Sequence, residues 1–102
     1  MATDFQRLRF VFPSHTGSAQ SQDITAVFPT SVRRAETAIS GFNIGFSSSD
    51  HHLFREEIFV SVCRIVLNTV TVHVDFALRD SSGFFDDSYD GVIDVMVLVD
   101  RL

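Results

Sequence analysis

The sequence predicts an all-β fold: a single domain over residues 1–102, built as a six-stranded antiparallel β-sandwich. Three observations predict it. Apolar residues recur at every second position in segment after segment, the period of a strand with one buried face. Pro, Gly and Ser clusters separate those segments at intervals suited to short connections. Finally, 45% hydrophobic against 21% charged residues, over 102 positions, suffices for one core between two packed sheets.

The elements follow in order. Leu8, Phe10 and Phe12 alternate with Arg7, Arg9 and Val11, and Pro13 is expected to end that strand because it has no N–H to donate. Ser14 to Gln22, with Gly17, reads as a polar loop. Ile24, Ala26 and Phe28 alternate until Pro29. Between Arg33 and Phe46, Ala35, Thr37 and Ile39 share one parity, and Phe42, Ile44 and Phe46 share the other. A parity flip at Ser40-Gly41 is what a β-bulge produces. The competing reading is a short helix from Ser31 to Ile39, since Arg, Ala and Glu favour helix. Strand is preferred because Thr37 and Ile39 are β-branched and no capping box precedes them.

Ser47 to His52 is polar and reads as a loop. Glu57 to Leu67 is apolar on both parities, which predicts a strand covered on both faces, with Cys63 as a buried, inert thiol. Asn68-Thr69 supplies a turn. Val70, Val72, Val74, Phe76 and Leu78 then face one way. Ile93, Val95, Val97 and Val99 do the same in the last strand. Its other parity is also apolar after Asp94, so a neighbouring subunit is expected against that face.

A net charge of −5 disfavours nucleic acid and anionic membrane as partners. All eight basic residues are Arg. Neither a charged n-region followed by an apolar stretch nor an apolar run approaching the roughly 20 residues of a membrane helix is present. The default expectation is therefore cytoplasmic, with export without a cleaved signal left open.

The densest chemistry lies in Arg79–Gly91. Asp80, Asp86, Asp87 and Asp90 stand beside Phe84, Phe85 and Tyr89, the chain's single Tyr. Carboxylates accept hydrogen bonds from vicinal hydroxyls, and an aromatic face covers the C–H patch of a pyranose. A solvated turn capped by its own Asp side chains is the plainer alternative. Weak calcium binding by Asp86, Ser88 and Asp90 is a third, although Val97 stands where an EF-hand requires Glu. Asp50-His51-His52 with Glu56 and Glu57 has zinc-ligand chemistry, but adjacent His side chains in extended chain point apart. His73 and Asp75 share a strand face and form a candidate base pair, yet no nucleophile motif accompanies them. No enzyme and no cofactor are expected.

Phe28-Pro29 followed by Val32, a middle strand with Arg64 and Val66, Val70-Thr71 leading to Phe76, and a final strand Val92 to Val99 form an ordered set. In that order the chain resembles the H-type lectin domain, from Phe28 to Val99. The resemblance implies a six-stranded sandwich that assembles as a homo-trimer or hexamer. It implies glycan binding, of galactose or N-acetylgalactosamine, in clefts between subunits. It also implies a sugar-contacting Arg on a middle strand, here Arg64, acting with the last loop. That loop has Phe84-Phe85-Asp86 where the family often carries Trp-His, and the final strand lacks the family's Trp. The alternative is a structural or assembly subunit, bacterial or phage, that uses the same sandwich to oligomerise.

Overall fold

The computed structural model describes residues 2–47, 53–80 and 87–102, without the side chains of 53, 54 and 80. Six strands run in order: β1 (Ala2–His15), β2 (Gln20–Val27), β3 (Val32–Phe46), β4 (Leu53–Val66), β5 (Thr69–Asp80) and β6 (Tyr89–Arg101). They form two three-stranded antiparallel sheets, β1-β6-β3 and β2-β5-β4. Among the described residues there is no helix, so none is long and apolar enough to cross a membrane. Strands of up to 15 residues draw the molecule out to 49 × 19 × 18 Å.

The two central strands carry the core, as their alternation dictates. Val70, Val72, Val74 and Phe76 of β5 and Ile93, Val95 and Val97 of β6 are fully buried. Each such side chain contributes about 1.5–3 kcal/mol on burial. Phe12 and Tyr89 both pack on Phe76, each with ring centroids 5.2 Å away. Gly91 makes that packing possible. A Cβ there would stand 2.5 Å from Ile44 Cγ2 and 3.1 Å from Phe76 Cζ.

The bulge expected at Ser40-Gly41 is present: pairing with β6 steps from Ile39 to Gly41, so Ile39 opposes Val95 and Phe42 opposes Ile93. The helix alternative fails, because the ladder to the central strand claims the backbone of β3. Pro13 does not end β1. It lies inside an edge strand where pairing passes from Phe12 to His15, so its missing N–H breaks no ladder bond. The polar stretch from Ser14 is shorter than expected, with β2 starting at Gln20.

β4 corrects another expectation. It is an edge strand, and Phe59, Cys63, Ile65 and Val66 are exposed along it. Cys63 is not buried; the register shift between Val62 and Arg64 leaves it exposed, its thiol 3.4 Å from the Thr71 carbonyl. The turn into β5 is Leu67-Asn68, one residue earlier than expected. Leu67 has φ 52°, and its carbonyl accepts the Val32 N–H at 2.8 Å.

The two long edges of the sandwich differ. At the β1–β2 edge, Gln20 and Gln22 donate side-chain amide bonds to the Pro13 and Val11 carbonyls at 3.1 and 2.6 Å, and Gln6 reaches the Val27 carbonyl. At the β3–β4 edge, Ile39, Phe42 and Ile65 are exposed by 42%, 56% and 40%. The outward face of β6 is open in the single chain, where Leu98 lies beside the exposed Phe5 of β1.

Candidate functional site

Alternation in β6 that buries Tyr89, Gly91 and Ile93 turns Asp90, Val92 and Asp94 outward. Asp90 pairs with Gly45 and Val92 with Asn43 on β3, while Val11 of β1 lies across from Val92. The result is a groove of about 450 Å³ across the outer face of the first sheet. Its base is Asp90-Gly91-Val92, and its sides are Val11, Pro13 and Ser14 against Asn43 and Gly45. Gly45 matters here because a side chain opposite Asp90 would fill the groove.

The Asp90 carboxylate is positioned by a short relay. Ser47 donates to Asp90 Oδ2 at 2.6 Å, and Ser14 donates to the Ser47 hydroxyl at 2.8 Å. The Ser47 N–H bonds the Ser88 carbonyl at 2.8 Å, which fixes the serine. A carboxylate, a side-chain amide and a hydroxyl therefore meet beside the apolar surface of Val11, Pro13 and Val92. Those groups accept and donate to vicinal hydroxyls. One step along, Arg9 clamps Asp94 with bonds of 2.9 and 3.2 Å, and this contact holds the Asp94 carboxyl below its usual range.

The sequence-predicted site residues separate. Asp90 lines the groove, and Asp87, three residues earlier, is half-buried. Tyr89 turns inward: it is fully buried, its hydroxyl donates to the Ser18 carbonyl at 2.6 Å, and the Phe76 carbonyl lies at 3.2 Å. Burial raises its phenol pKa. Its ring serves the core and offers no face to a ligand. Phe84, Phe85 and Asp86 lie outside the described residues, as do His51 and His52 and the side chain of Asp80.

Arg64 is exposed on β4, opposite Thr71. Thr71 and Asp80 are nine residues apart on one strand, about 30 Å. Arg64 and the Asp80 backbone thus lie toward opposite ends of β5. The residues the sequence did not single out are Asn43, Gly45 and Ser14. The available signal was the polar parity of β3, on which Asn43 and Gly45 alternate with Phe42, Ile44 and Phe46.

The second sheet carries polar groups on its outer face. His73 of β5 sits opposite Asp23 of β2 and bonds it through Nδ1 at 2.5 Å, and Nε2 meets Asp75 at 2.8 Å. These bonds, Asp23 first, raise the His73 pKa, because both stabilise the imidazolium. Both ring nitrogens are occupied, so His73 is not arranged as a base toward a substrate. Among the described residues, no His, Cys, Asp and Glu group is placed to hold a metal ion.

Comparisons with protein-family models, with curated proteins and with solved structures found no match.

Proposed function

We propose that this protein is a non-enzymatic carbohydrate-binding module of the H-type lectin kind that works as a homo-oligomer. The observation that carries the proposal is the Asp90 groove. A positioned carboxylate, the Asn43 amide and the Ser14 hydroxyl converge beside a modest apolar surface, with Gly45 leaving the side opposite Asp90 open. That donor and acceptor set suits a polyhydroxylated ligand. The frame of six antiparallel strands in two sheets supports the same reading. So does the apolar β3–β4 edge, which suits contact with a second copy. Galactose and N-acetylgalactosamine are the first sugars to test.

A glycan array with the wild-type protein and Asp90→Asn tests the proposal. Binding that falls at least about tenfold in Asp90→Asn, with unchanged Tm, supports it. Unaltered binding moves the site elsewhere.

The exposed Ile39, Phe42 and Ile65 favour a second reading, an assembly subunit that uses the sandwich to oligomerise. An array without hits, together with a stable oligomer by light scattering, selects that reading over the first.

A further inference from the structure

The outer face of the second sheet holds a feature that the Asp90 groove does not use. Phe59 of the edge strand β4 is 66% exposed, the highest exposure of any described Phe. Its cross-strand partner is Asp75, and Glu57, two residues earlier on the same face, pairs with Ala77. Ala77 is buried and small, so the surface dips between them. Glu57, Phe59, Asp75, Ala77 and Ala19 line a cavity of about 290 Å³ there.

Both carboxylates in this cavity are oriented. Glu57 Oε1 lies 3.2 Å from Arg79 Nε and 3.7 Å from Arg55 Nε. Asp75 Oδ1 meets His73 Nε2 at 2.8 Å. Glu57 Oε1 is itself buried and meets the guanidinium groups as an ion pair, Asp75 Oδ1 is hydrogen-bonded, and the two side chains as a whole remain 39% and 51% exposed. An exposed aromatic ring on a rigid strand, flanked by two anchored acceptors over a small residue, matches the two needs of a pyranose. The ring covers the sugar's C–H patch, and the carboxylates accept from its hydroxyls.

We propose that Phe59, Glu57 and Asp75 form a second pyranose-binding face over Ala77, on the side of the sandwich opposite the Asp90 groove. This inference rests on the carbohydrate-binding reading but uses none of the same residues. One protomer then presents two sugar sites facing in opposite directions.

Amide chemical shifts of the ¹⁵N-labelled protein, titrated with methyl galactoside, N-acetylgalactosamine, methyl glucoside and methyl mannoside, test it. The expected result is a saturable shift at residues 57–59 and 75–77 with at least one of them. Phe59→Ala should weaken that response about tenfold, and Phe59→Tyr should restore it. Phe59 is exposed, so its truncation leaves the core intact, and an unchanged Tm verifies this. Shifts confined to residues 43–45 and 90–92 would overturn this inference and leave the Asp90 reading standing. Shifts at neither place would overturn both. A response at 57–59 to tetramethylammonium but to no pyranoside would also overturn it, because the face would then be a cation site.

Discussion

Tyr89→Phe separates a core role from a ligand role for the chain's single Tyr. The substitution removes one oxygen and keeps the ring against Phe76. The hydroxyl donates at 2.6 Å to the carbonyl of Ser18, and Ser18 is exposed, so water can satisfy that carbonyl in the variant. The cost should therefore stay near the net worth of one hydrogen bond, about 1 kcal/mol, or roughly 4–8 °C in Tm. Tyr89→Ala removes the ring as well and should cost about 3–5 kcal/mol, a large part of a small domain's stability. Glycan binding per folded molecule should be unchanged in Tyr89→Phe. The absence of Trp makes a second readout clean: an absorbance titration reports Tyr89 alone. Because burial raises its pKa, the phenolate should appear only above the ordinary value of 10.0. Loss of binding in Tyr89→Phe at unchanged Tm, or ionisation at the ordinary value, would refute the placement of this ring in the core.

Three further outcomes are expected. Gly91→Ala forces a methyl to within 2.5 Å of Ile44 Cγ2 and should cost about 1–3 kcal/mol, with partial recovery in the Gly91→Ala, Ile44→Ala double variant by denaturant titration. Leu67→Gly should raise stability by up to about 1 kcal/mol, because Leu67 holds φ 52° at an exposed turn where Gly is unstrained; a fall in the urea midpoint would contradict this. The folded-state pKa of His73 is raised, so its contribution is full below the unfolded value of 6.5 and is lost as pH rises through the folded value. Wild type should therefore lose more Tm than His73→Gln between about pH 6 and pH 9, by a small margin, since solvent screens these exposed partners. Equal slopes would remove the imidazolium bridge between Asp23 and Asp75.

Where a segment's environment is set by its own alternation, the sequence disclosed it. Val70 to Leu78 and Ile93 to Val99 alternate because each strand is central and buried on one side. The bulge in β3 was legible for the same reason: both halves must face the core, so an inserted residue leaves a parity flip. Pro13, Cys63 and Phe59 misled or escaped the sequence because their settings depend on which strands lie at the edges. An edge strand tolerates proline and exposes apolar residues, and nothing local in β4 marks it as an edge. The groove was half legible for a related reason. Asp90 lay in the acidic and aromatic segment that the sequence singles out, but Asn43, Gly45 and Ser14 join it only because β6 is central between β1 and β3. Tyr89 shows the converse. Its neighbours in sequence are acidic and polar, but the strand period, beginning one residue before Asp90, decides that the ring points inward.

The unequal edges bear on how weak sugar sites would gain strength. Open grooves with a single carboxylate, or a single exposed ring, hold a monosaccharide loosely, since much of the ligand stays in water. Copies joined through the apolar β3–β4 edge would leave both outer faces uncovered, because the faces lie across the sheets and the edge lies between them. The glutamines that satisfy the Val11 and Pro13 carbonyls work against assembly at the other edge, where unpaired carbonyls would otherwise invite a further strand. Several copies of a loose site, held at fixed spacing, reach an avidity about 10²–10⁴ above that of one site when the target presents repeated sugars. Strong apparent binding to a dense glycan surface, with weak binding to a free monosaccharide, is therefore the pattern that the proposed function predicts, and under it a monomeric variant would lose the first and keep the second.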